Sequence, residues 1–486
     1  MRSSDRRRRA PTMRHPSRRS DSPFGRIRDW IDHIAQGSPS RFAVVIFTGI
    51  IFLWTFLLSL PISSASGQVT PFHEALFTAV STICVSGLVV VDMGAHWSMF
   101  GNAVVFIGMQ VGAVGVLTLA SIMGAVVTRR LGLRQRLMVA SDQNPMRTHA
   151  GAVSESQAVR LGEIGAMIAT VAISLVVIEA IIALMILPVF LSSGVSPLFA
   201  VWESFYYATS AFTNTGFTPN SAGLEPFQDN VWLLGCLSVA VFLGSLGFPV
   251  IFAFTRWFKT RQRASVHVKL TLITTVVLFV LGWGVITLLE YDNPETFGDL
   301  DAGMTFVQGG FLSAMTRSGG LSTIDIGALE PSTKLVIDML MFVGGGSAST
   351  AGGIKVTTIA VLFLAAVAEA RGATDIQVFR RRIPNDVLRL AVSVSLWGAT
   401  IVAVSSVSLM HLAGADFQNA LFESISAFAT CGLSTGLSEQ LPESGTYVLS
   451  ATMWLGRVGT VTMAAALASS QRKQLYKMPE ERIIVG

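Results

Sequence analysis

Charge is scarce in this sequence. Only 13% of its 486 residues are Asp, Glu, Lys or Arg, against roughly 25% in a soluble globular protein. That deficit excludes an ordinary soluble multidomain enzyme. Cysteine is scarcer still: Cys84, Cys236 and Cys431 cannot build a disulfide framework. The seven histidines fall in no HxxxH pattern and no CxxC occurs, so a resident metal site has no support. No Gly-x-Gly-x-x-Gly turn joins a strand to a helix, so the chain carries no nucleotide-binding domain of its own and no organic cofactor is expected. No cleavable signal peptide is read either, because the first apolar segment is long enough to span. What the sequence does have is apolar residues, 51% of the total, and 44 glycines. The first excludes disorder over most of the chain. The second suits close helix packing or non-helical backbone at membrane depth.

The apolar residues come in long runs. Residues 42–73, 93–128, 230–255, 270–289 and 390–414 hold no Asp, Glu, Lys or Arg, and about 20 apolar residues suffice to cross a bilayer as a helix. Three more runs carry isolated charges: 164–191 has Glu179, 332–369 has Lys355 at its middle with Lys334, Asp338 and Glu369 toward its ends, and 445–470 has Arg457. Eight spanning helices are therefore expected. Between successive pairs lie shorter apolar segments, 72–83, 202–212, 304–316 and 417–429. They are too short to span and read as re-entrant helices, each running into a glycine-containing turn. The expected fold is all-α integral membrane: four tandem repeats of helix, pore loop and helix around one pseudo-fourfold pore. The units are a basic arm (1–41), repeats at 42–128, 160–255, 266–369 and 384–470, and a tail (471–486).

Charge placement gives the orientation. The segments 1–41, 129–160, 256–269, 371–389 and 472–482 hold 31 of the 35 Lys and Arg, and they alternate with segments poor in both. By the positive-inside rule both termini are cytoplasmic and the short helices enter from outside, in the plasma (inner) membrane. The eleven Arg of residues 1–41 read as an anchor against anionic lipid in preference to a nucleic-acid contact. Glu74, Glu203 and Glu423 are placed at the outer starts of three short helices, where carboxylates suit the positive dipole end and also concentrate cations.

The four turns align on one glycine. The lines run Ser81 to Gly87-Leu88, Ser210 to Gly216-Phe217, Ala314 to Gly320-Leu321 and Ser426 to Gly432-Leu433, each with a small residue six before the glycine and Leu or Phe after it. Backbone that leaves a helix inside a membrane has unpaired C=O and N–H groups and is tolerated only around a wet cavity. Four copies about one axis would turn carbonyls inward, where they replace the water of a dehydrated K⁺ ion. Gly permits the positive φ and close approach this needs. Packing glycines, the alternative, would appear as small-xxx-small patterns inside the spans.

These lines resemble the Trk/Ktr/HKT superfamily of K⁺ transporters, and most of all its Ktr-type transmembrane subunit, since a single span precedes the first turn. The resemblance covers about residues 40–470 and is carried by Val85 to Asp92, Thr213 to Phe217, Thr316 to Leu321, Gly344 to Lys355, Ala429 to Leu433 and Gly456 to Gly459. It implies a selectivity filter of Cys84, Val85, Ser86 and Gly87; Thr213, Asn214, Thr215 and Gly216; Arg317, Ser318, Gly319 and Gly320; and Ala429, Thr430, Cys431 and Gly432. The four glycine carbonyls would bind the transported K⁺. Members with Ser at the first glycine favour Na⁺, so Gly87 implies K⁺. Cys84, Cys431 and Gly319 depart from the usual pattern. The resemblance further implies a homodimer and a separate cytoplasmic nucleotide-binding ring that regulates it. The basic inner loops would receive that ring, or contact lipid alone.

It also implies that Gly344, Gly345, Gly346, Ser347, Ala348, Ser349, Thr350, Ala351, Gly352 and Gly353 form an intramembrane gate loop, with Lys355 beside it and Arg457 in contact. The residues agree. Five Gly in ten positions cannot hold a helix, and a guanidinium offers five donors to the freed carbonyls. The same stretch is no Walker A loop, because no Gly-Lys-Ser/Thr follows it. Arg317 braces the filter from behind or pairs with an outer carboxylate. Glu179 is expected to make an interhelix hydrogen bond. The expected function is K⁺ uptake. The alternatives are a Na⁺-permeating or Na⁺-coupled protein of the same architecture, a secondary transporter with inverted repeats, and an intramembrane enzyme. Four units running in one direction count against the third reading, and the lack of a nucleophile–base pair counts against the fourth.

Overall fold

The computed structural model describes residues 39–130, 161–260 and 264–459. The basic arm, the basic loop after residue 130 and the tail lie outside these residues. The described chain is mostly helical: α1 (Pro39–Ser59), α2 (Phe72–Cys84), α3 (Met99–Arg130), α4 (Leu161–Ser192), α5 (Pro197–Phe212), α6 (Val231–Leu246), α7 (Phe248–Thr260), α8 (Val266–Glu290), α9 (Ala302–Met315), α10 (Pro331–Phe342), α11 (Val356–Ala370), α12 (Asn385–Ala413), α13 (Phe417–Ala429) and α14 (Glu443–Trp454). A hairpin of Gln377–Val378 against Arg381–Arg382, outside the all-helical expectation, turns through Phe379 and Arg380, both at positive φ.

Start signals are local. Pro occupies the first turn of α5 and α10, where its missing N–H costs nothing. Asp301 and Asp416 cap α9 and α13 by accepting two backbone N–H groups each. The four short helices α2, α5, α9 and α13 have 13, 16, 14 and 13 residues. At 1.5 Å per residue they reach about 20–24 Å, short of a ~30 Å hydrocarbon core. Each packs on the long helix before it: α2 on α1, α5 on α4, α9 on α8 and α13 on α12. The following helix packs onto the next short helix: α3 on α5, α6 on α9, α10 on α13, and α14 back on α2. The order closes on itself.

Polarity is inverted relative to a water-soluble protein. Leu198 and Leu288 are 84% and 79% exposed, with Phe52, Phe56 and Val407 also facing outward, while Glu179, Arg317, Glu423 and Arg457 are buried. An apolar exterior of this extent fits lipid as the surrounding medium.

Among the described residues, three helical stretches are long and apolar enough to cross a membrane unaided, Val171–Ser192, Val266–Glu290 and Asn385–Ala413. The other expected spans differ from the simple reading. Residues 230–255 break at Gly247 into α6 and α7, bent by 103°. Gly247 has φ +86, and Pro249 follows at the second position of α7, so the helix cannot run through. Residues 332–369 are split into α10 and α11 by the Gly-rich stretch. Residues 445–470 begin as α14 and pass into one π turn, Leu455–Gly459.

Candidate functional site

The four short helices end alike. Two residues before each aligned glycine, the backbone enters the left-handed region: Val85 (φ +57), Asn214 (+61), Ser318 (+65) and Thr430 (+47). The glycines follow with positive φ of their own, +87, +88, +67 and +95. In three turns the residue between them closes back on the helix: Ser86 N–H on Ser81 O (2.8 Å), Thr215 N–H on Ser210 O (2.9 Å) and Cys431 N–H on Ser426 O (2.9 Å). These are six-to-one closures that satisfy the helix's last carbonyls. The third turn closes by Gly319 N–H on Met315 O, 2.7 Å. A left-handed Val or Thr costs on the order of 1–3 kcal/mol and persists only where its surroundings over-determine it.

The small residue six before each glycine now has a purpose. Ser81 Oγ donates to Leu88 O (2.8 Å) and Ser210 Oγ to Phe217 O (2.7 Å), tying each helix to the strand that leaves the turn. Ser426 Oγ accepts the Gly432 N–H, 3.2 Å. Ala314 has no hydroxyl to offer.

The four glycines meet in one ring, and the neighbours are specific. A Cβ on Gly87 would land on Thr215 O, and one on Gly216 would lie 2.9 Å from Gly319 O. At Gly320 it would lie 2.6 Å from Cys431 O, and at Gly432 2.6 Å from Ser86 O. Each glycine thus faces the carbonyl one residue before the next glycine, and the fourth returns to the first. No side chain fits at any of the four without displacing backbone. Cys84 is fully buried behind this ring, Cys431 Sγ reaches Met315 O at 3.5 Å, and Ser318 Oγ donates to Ala429 O at 3.2 Å.

The Gly-rich stretch sits against three of the turns. Gly346 N–H donates to Ser245 O (2.7 Å), Thr350 N–H to Gly244 O (3.4 Å) and Phe248 N–H to Ala348 O (3.3 Å), so the stretch is seated in the break between α6 and α7. A Cβ on Gly247 would lie 2.8 Å from Ser347 O. Ser349 Oγ donates to Gly346 O at 2.7 Å, and Val356 N–H to Gly345 O at 3.1 Å. Gly344 packs on Gly352, Gly352 on Thr430 and Ala429, and Gly353 on Ala429.

Side chains lock the stretch to the ring. Thr350 Oγ1 contacts Asn214 Oδ1 (2.8 Å), Gly244 O (3.1 Å) and Phe212 O (3.4 Å). Asn214 Nδ2 in turn donates to Arg317 O (3.2 Å) and Val241 O (3.3 Å). Arg457 donates to Thr350 O through Nη2 and to Thr430 Oγ1 through Nη1, the latter at 3.4 Å. Lys355 Nζ donates to Ala351 O at 2.7 Å. Arg317 Nη1 donates to Val343 O at 2.8 Å, where the stretch begins. It pairs with no carboxylate among the described residues and instead ties the third turn to the start of the Gly-rich stretch.

Two acidic residues are not where the sequence put them. Glu74 is in the first turn of α2, but Glu203 and Glu423 lie mid-helix and cap nothing. They clamp exit strands instead: Glu203 Oε1 accepts from Asn220 Nδ2 at 3.3 Å. Glu423 Oε1 accepts from Ser434 Oγ (2.6 Å), Thr435 N–H (2.9 Å) and Thr435 Oγ1 (3.2 Å). Glu179 does make interhelix hydrogen bonds, to Gln110 and Thr209. Gly244, Ser245 and Gly247 were missed as loop contacts, although Gly247-Phe248-Pro249 is a readable helix-stop signal.

The chain is similar to known cation transport proteins. A family model described as TrkH, cation transport protein, matches residues 34–475. The Ktr system potassium uptake protein B of Vibrio alginolyticus is 33% identical over 457 residues, covering 93% of this chain and 96% of the relative. The potassium/sodium uptake protein NtpJ of Enterococcus hirae is 28% identical over 485 residues, covering 95% and 99%. The crystal structure of the potassium transporter TrkH from Vibrio parahaemolyticus superposes with a TM-score of 0.65 at 17% identity, over 86% of this chain and 83% of that one. The fold is thus shared well beyond the level of sequence likeness.

Proposed function

The chain belongs to the TrkH family of cation transport proteins, which are transporters and not enzymes, and on that premise we propose that it takes up K⁺ through a four-glycine carbonyl filter. The observation that carries the reading is the closed ring in which Gly87, Gly216, Gly320 and Gly432 each face the carbonyl before the next glycine. Carbonyl dipoles held at that spacing replace an ion's hydration shell. The four short helices direct their negative C-terminal ends, about half a charge each, at the same place. In this reading each helix–turn–helix unit is one of four pore-loop repeats, and the ion path runs along their common axis. The names of the relatives, Ktr system potassium uptake protein B among them, support K⁺ as the ion. NtpJ, named for both potassium and sodium, keeps Na⁺ as the alternative.

The Gly344–Gly353 loop is the gate. It is held against the second, third and fourth turns by Thr350, Arg317 and Arg457, and the cations of Lys355 and Arg457 near the path oppose a passing K⁺. Opening breaks those hydrogen bonds. The chain works at the plasma membrane with both termini inside, as the basic segments indicate. It acts as a homodimer with a separate cytoplasmic nucleotide-binding ring, consistent with relatives named as one component of a system.

The test is ⁸⁶Rb⁺ uptake by purified protein in vesicles, with K⁺ or Na⁺ as competitor. Wild type should be inhibited by K⁺ far more than by Na⁺. Gly320→Ser, whose Cβ would displace Cys431 O, should lose that preference, and so should Gly87→Ser. Equal competition by both ions in wild type overturns the filter reading.

A further inference from the structure

Glu179 is the buried acidic residue that the proposed filter and gate leave unused. It lies on α4, is only 3% exposed, and makes no ion pair among the described residues. A lone carboxylate at membrane depth is costly and calls for a role. Its Oε2 accepts from Gln110 Nε2 on α3 and from Thr209 Oγ1 on α5, the latter at 3.0 Å. Gln110 Nε2 also lies 3.3 Å from Thr209 Oγ1. Oε1 has no partner among the described residues. Glu179 therefore joins the helix of one unit to the short helix of the next at a single threonine.

From that threonine a hydrogen-bonded path leads into the ring. Thr209 O accepts from Thr213 Oγ1 at 2.7 Å. Thr213 has one hydroxyl proton and that bond uses it. The 2.8 Å contact between Thr213 Oγ1 and Thr215 Oγ1 must then be donated by Thr215. The carbonyl of Thr215 is the ring atom that faces Gly87. No other turn has this brace. The positions equivalent to Thr209, seven before each glycine, are Val80, Ser313 and Ile425, and the one hydroxyl among them donates to a backbone carbonyl, Phe279 O, at 2.9 Å.

We propose that Glu179 is a positioning residue for ion selectivity: by fixing Thr209 it fixes, through Thr213 and Thr215, the second carbonyl of the ring. The inference rests on the four-glycine filter. A carboxyl group suits the task because one oxygen accepts from two donors at once, and those donors come from two different helices. Thr215 O is then held at one distance from the ion, and a smaller cation cannot draw it inward.

The experiment uses full-length purified protein in vesicles and reads K⁺ against Na⁺ competition of ⁸⁶Rb⁺ uptake. Thr209→Val keeps the side chain's shape and removes the donor. Glu179→Leu removes the acceptor. Thr209→Ser and Glu179→Gln keep a donor and an acceptor. Thr209→Val and Glu179→Leu should lose up to about tenfold in K⁺ preference, the scale of one buried hydrogen bond, with maximal Rb⁺ uptake within about twofold of wild type. The two conservative variants should stay near wild type. A selective wild type together with an unchanged Thr209→Val overturns this proposal alone. So does a Thr209→Val that lowers uptake while leaving the competition ratio intact, because that is a purely structural effect. A wild type that does not discriminate overturns the filter reading and this proposal with it.

Discussion

Thr350→Val isolates what holds the loop against the ring. The substitution preserves shape, so no cavity opens, and it removes one hydroxyl. That hydroxyl carries a single proton and three acceptors surround it, with Asn214 Oδ1 nearest at 2.8 Å. The backbone bonds of Thr350, from its N–H to Gly244 O and from Arg457 to its carbonyl, remain. A buried neutral hydrogen bond contributes about 0.5–1.5 kcal/mol net, rising to about 3 kcal/mol when its acceptor is left unsatisfied. The closed loop loses this energy and the open loop does not. The closed-to-open ratio then falls by between about twofold and about 150-fold, with tenfold for each 1.4 kcal/mol. ⁸⁶Rb⁺ uptake should rise accordingly until another step limits it. A double-mutant cycle with Asn214→Gly, which accepts the left-handed backbone, locates the effect. If the contact is the latch, adding Thr350→Val to Asn214→Gly raises uptake little further. Uptake at or below wild type in Thr350→Val, from equal amounts of folded protein, refutes the reasoning, and so does full additivity in the cycle.

Arg457→Ala breaks two bonds to the loop and the fourth turn. With charged donors at about 1.5–3 kcal/mol each, it should raise uptake more than Thr350→Val does, and shortening the Gly344–Gly353 loop should do the same. Unchanged flux in both variants argues against a gate. Ser210→Ala removes the tie to Phe217 O and should lower stability by about 1 kcal/mol, read as a lower melting temperature of the detergent-solubilised protein. Ala314 shows that one turn manages without this hydroxyl, so Ser210→Ala should still fold.

The four short helices were legible because two local signals coincide at each: an apolar run too short to span and a glycine just past its end. Their starts and ends in the structure fall within a few residues of that reading, apart from α5, which begins at Pro197. The Gly-rich loop was legible as a place no helix could survive. The left-handed residues were not, since Val85, Asn214, Ser318 and Thr430 share no side-chain type. Tertiary contact around the ring imposes their conformation, and no local preference announces it. The seat of the loop was hidden for a related reason. Gly247 lies in an apolar run that looks continuous by hydropathy; Gly247 and Pro249 mark a stop, but only the approach of Ser347 and Ala348 shows what is seated in the break. Glu203 was misplaced because hydropathy marks where a short helix becomes apolar, a turn after its backbone begins at Pro197, whereas Glu423 sits six residues into a helix whose start at Phe417 was read correctly.

The ring has a consequence for how the protein is made. Its closing contact joins Ser86 to Gly432, near opposite ends of the folded chain. At translation rates of about 5–20 residues per second, roughly 17–70 seconds separate the emergence of the two. Throughout that interval the proposed pore lacks its fourth side, and any backbone group left unpaired at membrane depth costs several kcal/mol. The nascent chain must therefore shelter an unfinished pore, by water, lipid headgroups or an insertion factor, until its fourth quarter arrives. A ribosome that stalls before residue 432 leaves behind three turns with nothing to close them.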